Sequence, residues 1–222
     1  MSLKKYALLL GLSCQISAAY AGFYAGLGIG SDTVSFKQSG HVVRPGSFDV
    51  LDKTHLSGTG VFGTLFGGYS WLVKQFYLAA EVNGNISSTV FKGSNFESVH
   101  GTASSTKYEM PHSVGVSVLP GYFLLPTSLL YVRAGYTNGE FKSKTTDISL
   151  ANTSKSLDGF RYGLGLKQTI TEKVALRLDY SRIDYNNVTF RTNDVLGSTR
   201  KTTIITPREQ LIELGIVVSF NG

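Results

Sequence analysis

Between residues 212 and 220 the chain alternates. Ile212, Leu214, Ile216, Val218 and Phe220 share one parity, while Leu211, Glu213, Gly215, Val217 and Ser219 share the other. An extended strand sends successive side chains to opposite faces, so this segment has one wholly apolar face and one mixed face. The pattern recurs. In 76–83, Phe76, Leu78, Ala80 and Val82 oppose Tyr77, Ala79, Glu81 and Asn83. In 129–137, Leu130, Val132, Ala134 and Tyr136 oppose Tyr131, Arg133, Gly135 and Thr137. In 160–167, Phe160, Tyr162, Leu164 and Leu166 oppose Arg161, Gly163, Gly165 and Lys167, and in 174–181, Val174, Leu176, Leu178 and Tyr180 oppose Ala175, Arg177, Asp179 and Ser181. Softer versions cover 23–30 and 113–118. In 61–71 both parities carry aromatics and glycines, and Leu65, Gly67 and Tyr69 are assigned to the apolar face.

Eight such segments are joined by connections of alternating length. Residues 72–75, 124–128 and 169–173 form short turns, whereas 37–58, 91–111, 143–157 and 187–208 are long and polar. The expected fold is all-β: an eight-stranded antiparallel up-and-down transmembrane β-barrel with short periplasmic turns and long extracellular loops. A soluble barrel would turn its apolar face inward and its charges outward. Here the opposite face carries Gly26, Gly28, Gly30, Gly115, Gly121, Gly135, Gly163, Gly165 and Gly215, small residues suited to a crowded narrow lumen. Phe23, Trp71, Phe76, Tyr122 and Phe220 near the turn rim and Phe160, Tyr162, Tyr180 and Tyr185 near the loop rim are expected to form two interfacial girdles. Pro120 cannot donate to a ladder, so a bulge or the last paired residue of its strand is expected there.

The first residues change the picture. Lys4 and Lys5, an apolar run to Leu12 and small residues at Ala19 and Ala21 make 1–21 an expected export signal, cleaved before Gly22, with the barrel domain over 22–222. Cys14, the one cysteine, lies inside that leader, so the mature chain is expected to be free of thiols and disulfides. Without Lys4 and Lys5, 19 basic residues face 15 acidic ones, a net charge of +4 with no basic run long enough for nucleic acid. After the leader no apolar stretch reaches helical spanning length, since 120–132 is broken by Pro126, Thr127 and Ser128.

The inward parity places Glu81, Asp179 and Glu213 with Arg133, Arg161, Lys167 and Arg177. Buried charges persist only when paired, so an inter-strand ion-pair network is expected, with Glu81–Arg133, Asp179–Arg161 and Glu213–Arg177 as pairs. Such a network would plug the lumen; the alternative is the gate of a narrow porin. Catalysis is not expected. His41, His55, His100 and His112 all fall in loops or at a strand mouth, and adjacent His112 and Ser113 point to opposite faces of a strand. Their spacing fits no compact metal motif, and nothing calls for a cofactor. In the long loops, Val42, Val43, Phe48, Val50, Leu51 and Phe96 are candidates for contact with a surface or another cell.

The segments GFYAGLGIG (22–30), VSVLPGYFL (116–124), LLYVRAGYTNGEF (129–141) and LRLDYSRIDY (176–185) resemble the outer-membrane β-barrel domains of OmpA-like and opacity-like, porin-family surface proteins. The ending ELGIVVSF resembles that family's assembly signal, carried by Glu213, Gly215, Val218 and Phe220 and read by the barrel-assembly machinery, although Asn221 and Gly222 follow the phenylalanine. The resemblance implies a monomer in the Gram-negative outer membrane, in contact with its lipid and lipopolysaccharide, with host or cell-surface ligands reached through the loops. Envelope structure or adhesion is the first functional expectation. A narrow porin is second, and a lipid A-modifying barrel enzyme third.

Overall fold

The computed structural model describes residues 20–44, 48–97, 102–145, 153–193 and 200–220. Of the expected leader, only Tyr20 and Ala21 fall within these ranges, paired with Leu72 and Trp71. Cys14, His100, Asn221 and Gly222 lie outside the described residues.

The described strands are β1 (Tyr20–Arg44), β2 (Phe48–Val73), β3 (Phe76–Ser87), β4 (Val90–Glu97), β5 (Thr102–Glu109), β6 (His112–Leu125), β7 (Ser128–Thr145), β8 (Thr153–Thr169), β9 (Val174–Tyr185), β10 (Val188–Asn193) and β11 (Arg200–Ser219). Eight of them close a ring in the order β1, β2, β3, β6, β7, β8, β9, β11 and back to β1, each neighbour antiparallel. Closure leaves no unpaired edge, the condition for a sheet to cross lipid.

The remaining strands continue the wall beyond the ring. The β4–β5 hairpin leans on β7, and β10 runs along β11. The expected long loops are therefore mostly β-hairpin: β1 and β2 stay paired up to Arg44 and Phe48, and β7 and β8 up to Ser143 and Thr153. Val42, Val43, Phe48, Val50, Leu51 and Phe96 lie in these paired extensions. Polar residues on both faces hide the period-two signal there, while Thr, Val and Ser still suit an extended backbone.

The apolar parity faces outward. Leu65, Leu214 and Leu178 are 68%, 57% and 51% exposed, while Glu213 and Arg177 are 1% and 3% exposed. On β11 the apolar outer positions run from Ile212 to just past the strand at Phe220. Eight steps of about 3.3 Å, tilted by about 40°, give a band about 20 Å tall, close to the hydrocarbon belt of an outer membrane. Aromatic rings pair edge to face along its lower border: Phe23 with Tyr69 at 4.7 Å, Tyr69 with Trp71 at 4.8 Å, and Phe76 with Tyr122 at 5.4 Å. Phe160 and Tyr162 stack at 6.0 Å at the upper border. Tyr185 does not join that girdle. It shares the parity of Arg177, Asp179 and Ile183, is 4% exposed, and points into the lumen.

Pro120 is neither a bulge nor a strand end. It sits opposite Leu78 of β3, its strand continues to Leu125, and the register shift falls farther on, between Phe123 and Leu125. Pairing of β6 with β7 passes over Leu119 and Pro120 and resumes at Gly121 opposite Tyr131, so the missing donor falls in an open part of the ladder. The β2–β3 turn consists of Lys74 and Gln75, with Lys74 in the left-handed region at φ 57°. Inward glycines make room for inward rings. A Cβ on Gly165 would stand 2.2 Å from the Tyr131 ring, and one on Gly26 would stand 2.3 Å from that of Phe66.

Candidate functional site

Three strata fill the lumen. Near the turn rim, Tyr24, Phe66, Tyr77, Leu119, Leu129 and Val217 pack together, with Ala79, Tyr131 and Ala175 completing the layer. Near the loop rim a second apolar layer includes Val34, Phe36, Phe62, Phe141, Ile183 and Leu211. Between them lies the charged belt.

The belt is a closed ring of alternating sign. Glu81 meets Arg133 at 2.9 Å, Arg133 meets Asp179 at 3.1 Å, and Asp179 meets Arg161 at 3.7 Å. Arg161 reaches Glu213 at 4.0 Å, Glu213 accepts from Arg177 at 2.5 Å, and Arg177 returns to Glu81 at 2.7 Å. Each acid touches two arginines and each arginine two acids, so three positive charges cancel three negative ones without bulk water. All six side chains are at most 3% exposed. Hydroxyls add to the shell: Tyr24 donates to Glu81 at 2.9 Å, Tyr131 to Asp179 at 2.7 Å, and Ser181 accepts from Arg161 at 3.0 Å, while Arg161 Nη2 and Asp179 Oδ1 meet by charge alone. The Arg177 guanidinium lies 3.4 Å from the centroid of the Phe66 ring, so the belt rests on the lower apolar layer.

All three pairs expected from the sequence stand in this ring, with three further contacts that link them. Lys167 stands apart. It faces inward nearer the turn rim, where Nζ lies 4.5 Å from the Tyr77 ring centroid and 3.4 Å from its hydroxyl. Of the residues expected to form an assembly signal, Glu213 and Gly215 face the lumen and Val218 and Phe220 face outward, Phe220 N donating to Phe23 O at 2.9 Å. The described histidines lie at the outer end: His41 meets Asp49 at 2.6 Å and His112 meets Glu140 at 3.2 Å.

Sequence reasoning missed two lumenal acids, Asp32 and Glu209, which are 0% and 4% exposed. They lie above the ring, Glu209 level with the outward residues Arg208 and Gln210 beyond the apolar band. Asp32 accepts from Ser87 at 2.5 Å and Glu209 from Tyr185 at 2.8 Å. Burial raises the Glu209 carboxyl to about 7; the Tyr185 hydrogen bond opposes the shift and the Asp32 charge adds to it. Inward parity was the available signal. Asp32 continues the even face of Tyr24 to Gly30, and Glu209 the odd face of Leu211 and Glu213.

The enclosed spaces beside the belt, one against Tyr24, Glu81 and Lys167 and one against Ser87, Tyr185 and Glu209, are each about 10 Å³. That is at most the room of a single water.

The profile of the outer membrane protein beta-barrel domain matches residues 6–200 of this chain. The chain belongs to that family. As an outer membrane β-barrel it resides in the outer membrane of a Gram-negative cell, in keeping with the fold and placement expected from its alternation. Solved barrels are similar. OprG of Pseudomonas aeruginosa is 13% identical, with 90% of this chain and 97% of that one aligned at a TM-score of 0.50. Neisserial surface protein A is 15% identical over 90% and 99% of the two chains at 0.46, and the outer membrane protease OmpT of Escherichia coli 10% identical over 90% and 97% at 0.45. At such identities the likeness is one of fold. Among curated protein sequences none matches this barrel.

Proposed function

We propose that this barrel is a non-enzymatic, non-conducting surface protein that carries its outer hairpins for envelope structure or adhesion. The supporting observation is the lumen: a neutral ring of six charges lies between two apolar layers, and the two small spaces against Glu81 and Glu209 among the described residues are each about 10 Å³. Moving a hydrated ion through would require breaking the ring and opening both layers, each held by packed rings. Binding then falls to the paired extensions above the membrane, which a rigid wall presents outward.

Planar-bilayer recording tests the sealed lumen. Silence across a wide voltage range is the expected result; discrete openings that change in Arg133→Ala would replace this reading with the narrow pore. Adhesion is tested by trimming the β1–β2 hairpin at a register that spares Phe36 and Leu56. Replacing residues 40–52 with a two-residue turn keeps Ser39 opposite Lys53. Loss of cell attachment with normal folding supports the binding role, and unchanged attachment assigns this hairpin to structure. Unchanged lipid A mass on overexpression is the expected result for a barrel without catalytic action on lipid.

A further inference from the structure

Just above the apolar band the outward residues are Ser31 on β1, Thr59 on β2, Ser88 after β3, His112 on β6, Asn138 on β7 and Asp158 on β8. The β9–β11 side differs. There Arg182 and Arg208 flank Asp184, with Arg208 directly opposite Asp184 and Gln210 opposite Arg182. Both Nε atoms lie 3.2 Å from the same oxygen, Asp184 Oδ1, and Tyr162 donates to Oδ2 at 3.1 Å.

One carboxylate cannot neutralise two guanidinium groups, so the triad keeps a net positive charge. The Arg208 approach lacks hydrogen-bond geometry, and its Nε finds no acceptor among the described residues. The side chains of Arg182 and Arg208 are 30% and 34% exposed, open on the lipid side and braced on the other. Directly below, Tyr180 pairs with Ile212 and Leu178 with Leu214, an apolar strip that is 42–57% exposed to hydrocarbon. Two guanidinium forks at headgroup height above a greasy strip form a complement to an amphiphile with an anionic head.

We propose that Arg182 and Arg208 bind a phosphate monoester on the headgroup of an outer-leaflet glycolipid, whose acyl chains lie along Tyr180, Ile212, Leu178 and Leu214. Asp184 acts as a positioning residue. It holds Arg182 by a hydrogen bond and Arg208 by charge alone, which keeps the two guanidinium groups side by side, and its charge limits how tightly phosphate is held.

The test uses the full-length folded barrel in neutral detergent micelles, titrated with bisphosphorylated lipid A and followed by the midpoint of heat-induced loss of the folded gel band. The wild type should gain stability with added lipid, and Arg182→Gln/Arg208→Gln should need about tenfold more lipid for the same gain. Asp184→Asn should shift the titration the other way, toward tighter binding, an outcome that misfolding cannot imitate. Fully dephosphorylated lipid A should give the wild type no more than it gives the double variant. Equal titrations for wild type and double variant, or equal effects of phosphorylated and dephosphorylated lipid, would overturn the proposal. Full stabilisation by inorganic phosphate alone would also overturn it, by reducing the triad to a free-anion site.

Discussion

Replacing Glu81 with glutamine probes the belt at an acid that joins two arginines and a tyrosine. The Glu81 carboxylate receives Arg133 on Oε1 at 2.9 Å, and Arg177 at 2.7 Å and the Tyr24 hydroxyl at 2.9 Å on Oε2. Glutamine keeps the shape but must turn its amide nitrogen toward one of these donors, and it leaves three arginines facing two acids. Removing one partner from a buried ion pair costs about 3–5 kcal/mol. Because Arg133 retains Asp179 and Arg177 retains Glu213, the lower end applies, a loss of about 3 kcal/mol. Urea unfolding in phospholipid vesicles, read by fluorescence of the single tryptophan, Trp71, measures this loss directly. The double variant Glu81→Gln/Arg133→Met restores neutrality and should cost at least about 1 kcal/mol less than the two single losses added. A single-variant loss below about 0.5 kcal/mol without coupling would mean water already screens these charges, refuting the sealed lumen.

Several other outcomes follow from the packing. Gly165→Ala places a methyl group against the Tyr131 ring and should cost about 1–3 kcal/mol in the same unfolding assay, and most of that increment should vanish when the substitution is made in a Tyr131→Ala background, itself destabilised by loss of the buried ring. Phe220→Ala should lower the yield of heat-modifiable barrel in outer membranes while leaving refolding of purified protein nearly unchanged, because its ring lies 63% exposed outside the core. Glu209 supplies a pH signature. Its folded carboxyl titrates near 7 against 4.5 in the unfolded chain, so its contribution is fully present below about pH 4.5 and lost as pH rises through about 7. Unfolding free energy should fall by up to about 3 kcal/mol across that window, and Glu209→Gln should abolish this component; an identical pH profile in the variant would refute the assignment.

The sequence makes the membrane-spanning part legible because lipid and lumen impose opposite demands on alternate residues. Glu213 and Leu214 differ in exposure by most of a residue's surface, and their order in the chain already states it. Residues 61–71 read poorly for a physical reason: the lumen face of β2 is aromatic, with Phe62 and Phe66 lying over the glycines of β1. The extensions above the membrane were unreadable as strands because neither face meets lipid. Tyr185 faces the lumen because strand parity, not aromatic character, decides which way a side chain points. The ring's pairs could be named from facing alone, but its closure depends on side-chain reach across the lumen, which carries Arg177 to Glu81, 96 residues away. Lys167 shares the facing of the belt residues and misses the belt because of its height along the axis.

Spin labels on β11 test the central claim most directly. With Cys14 replaced, single cysteines at Ile212, Leu214, Ile216 and Val218 would be labelled and the barrel reconstituted in vesicles. Relaxation would then be compared for oxygen, which concentrates in lipid, and a water-soluble nickel chelate. All four labels should respond strongly to oxygen and weakly to nickel, with nickel access appearing only at Gln210 and above. Strong nickel access at Leu214 or Ile216 would place that face in water and contradict the barrel's orientation.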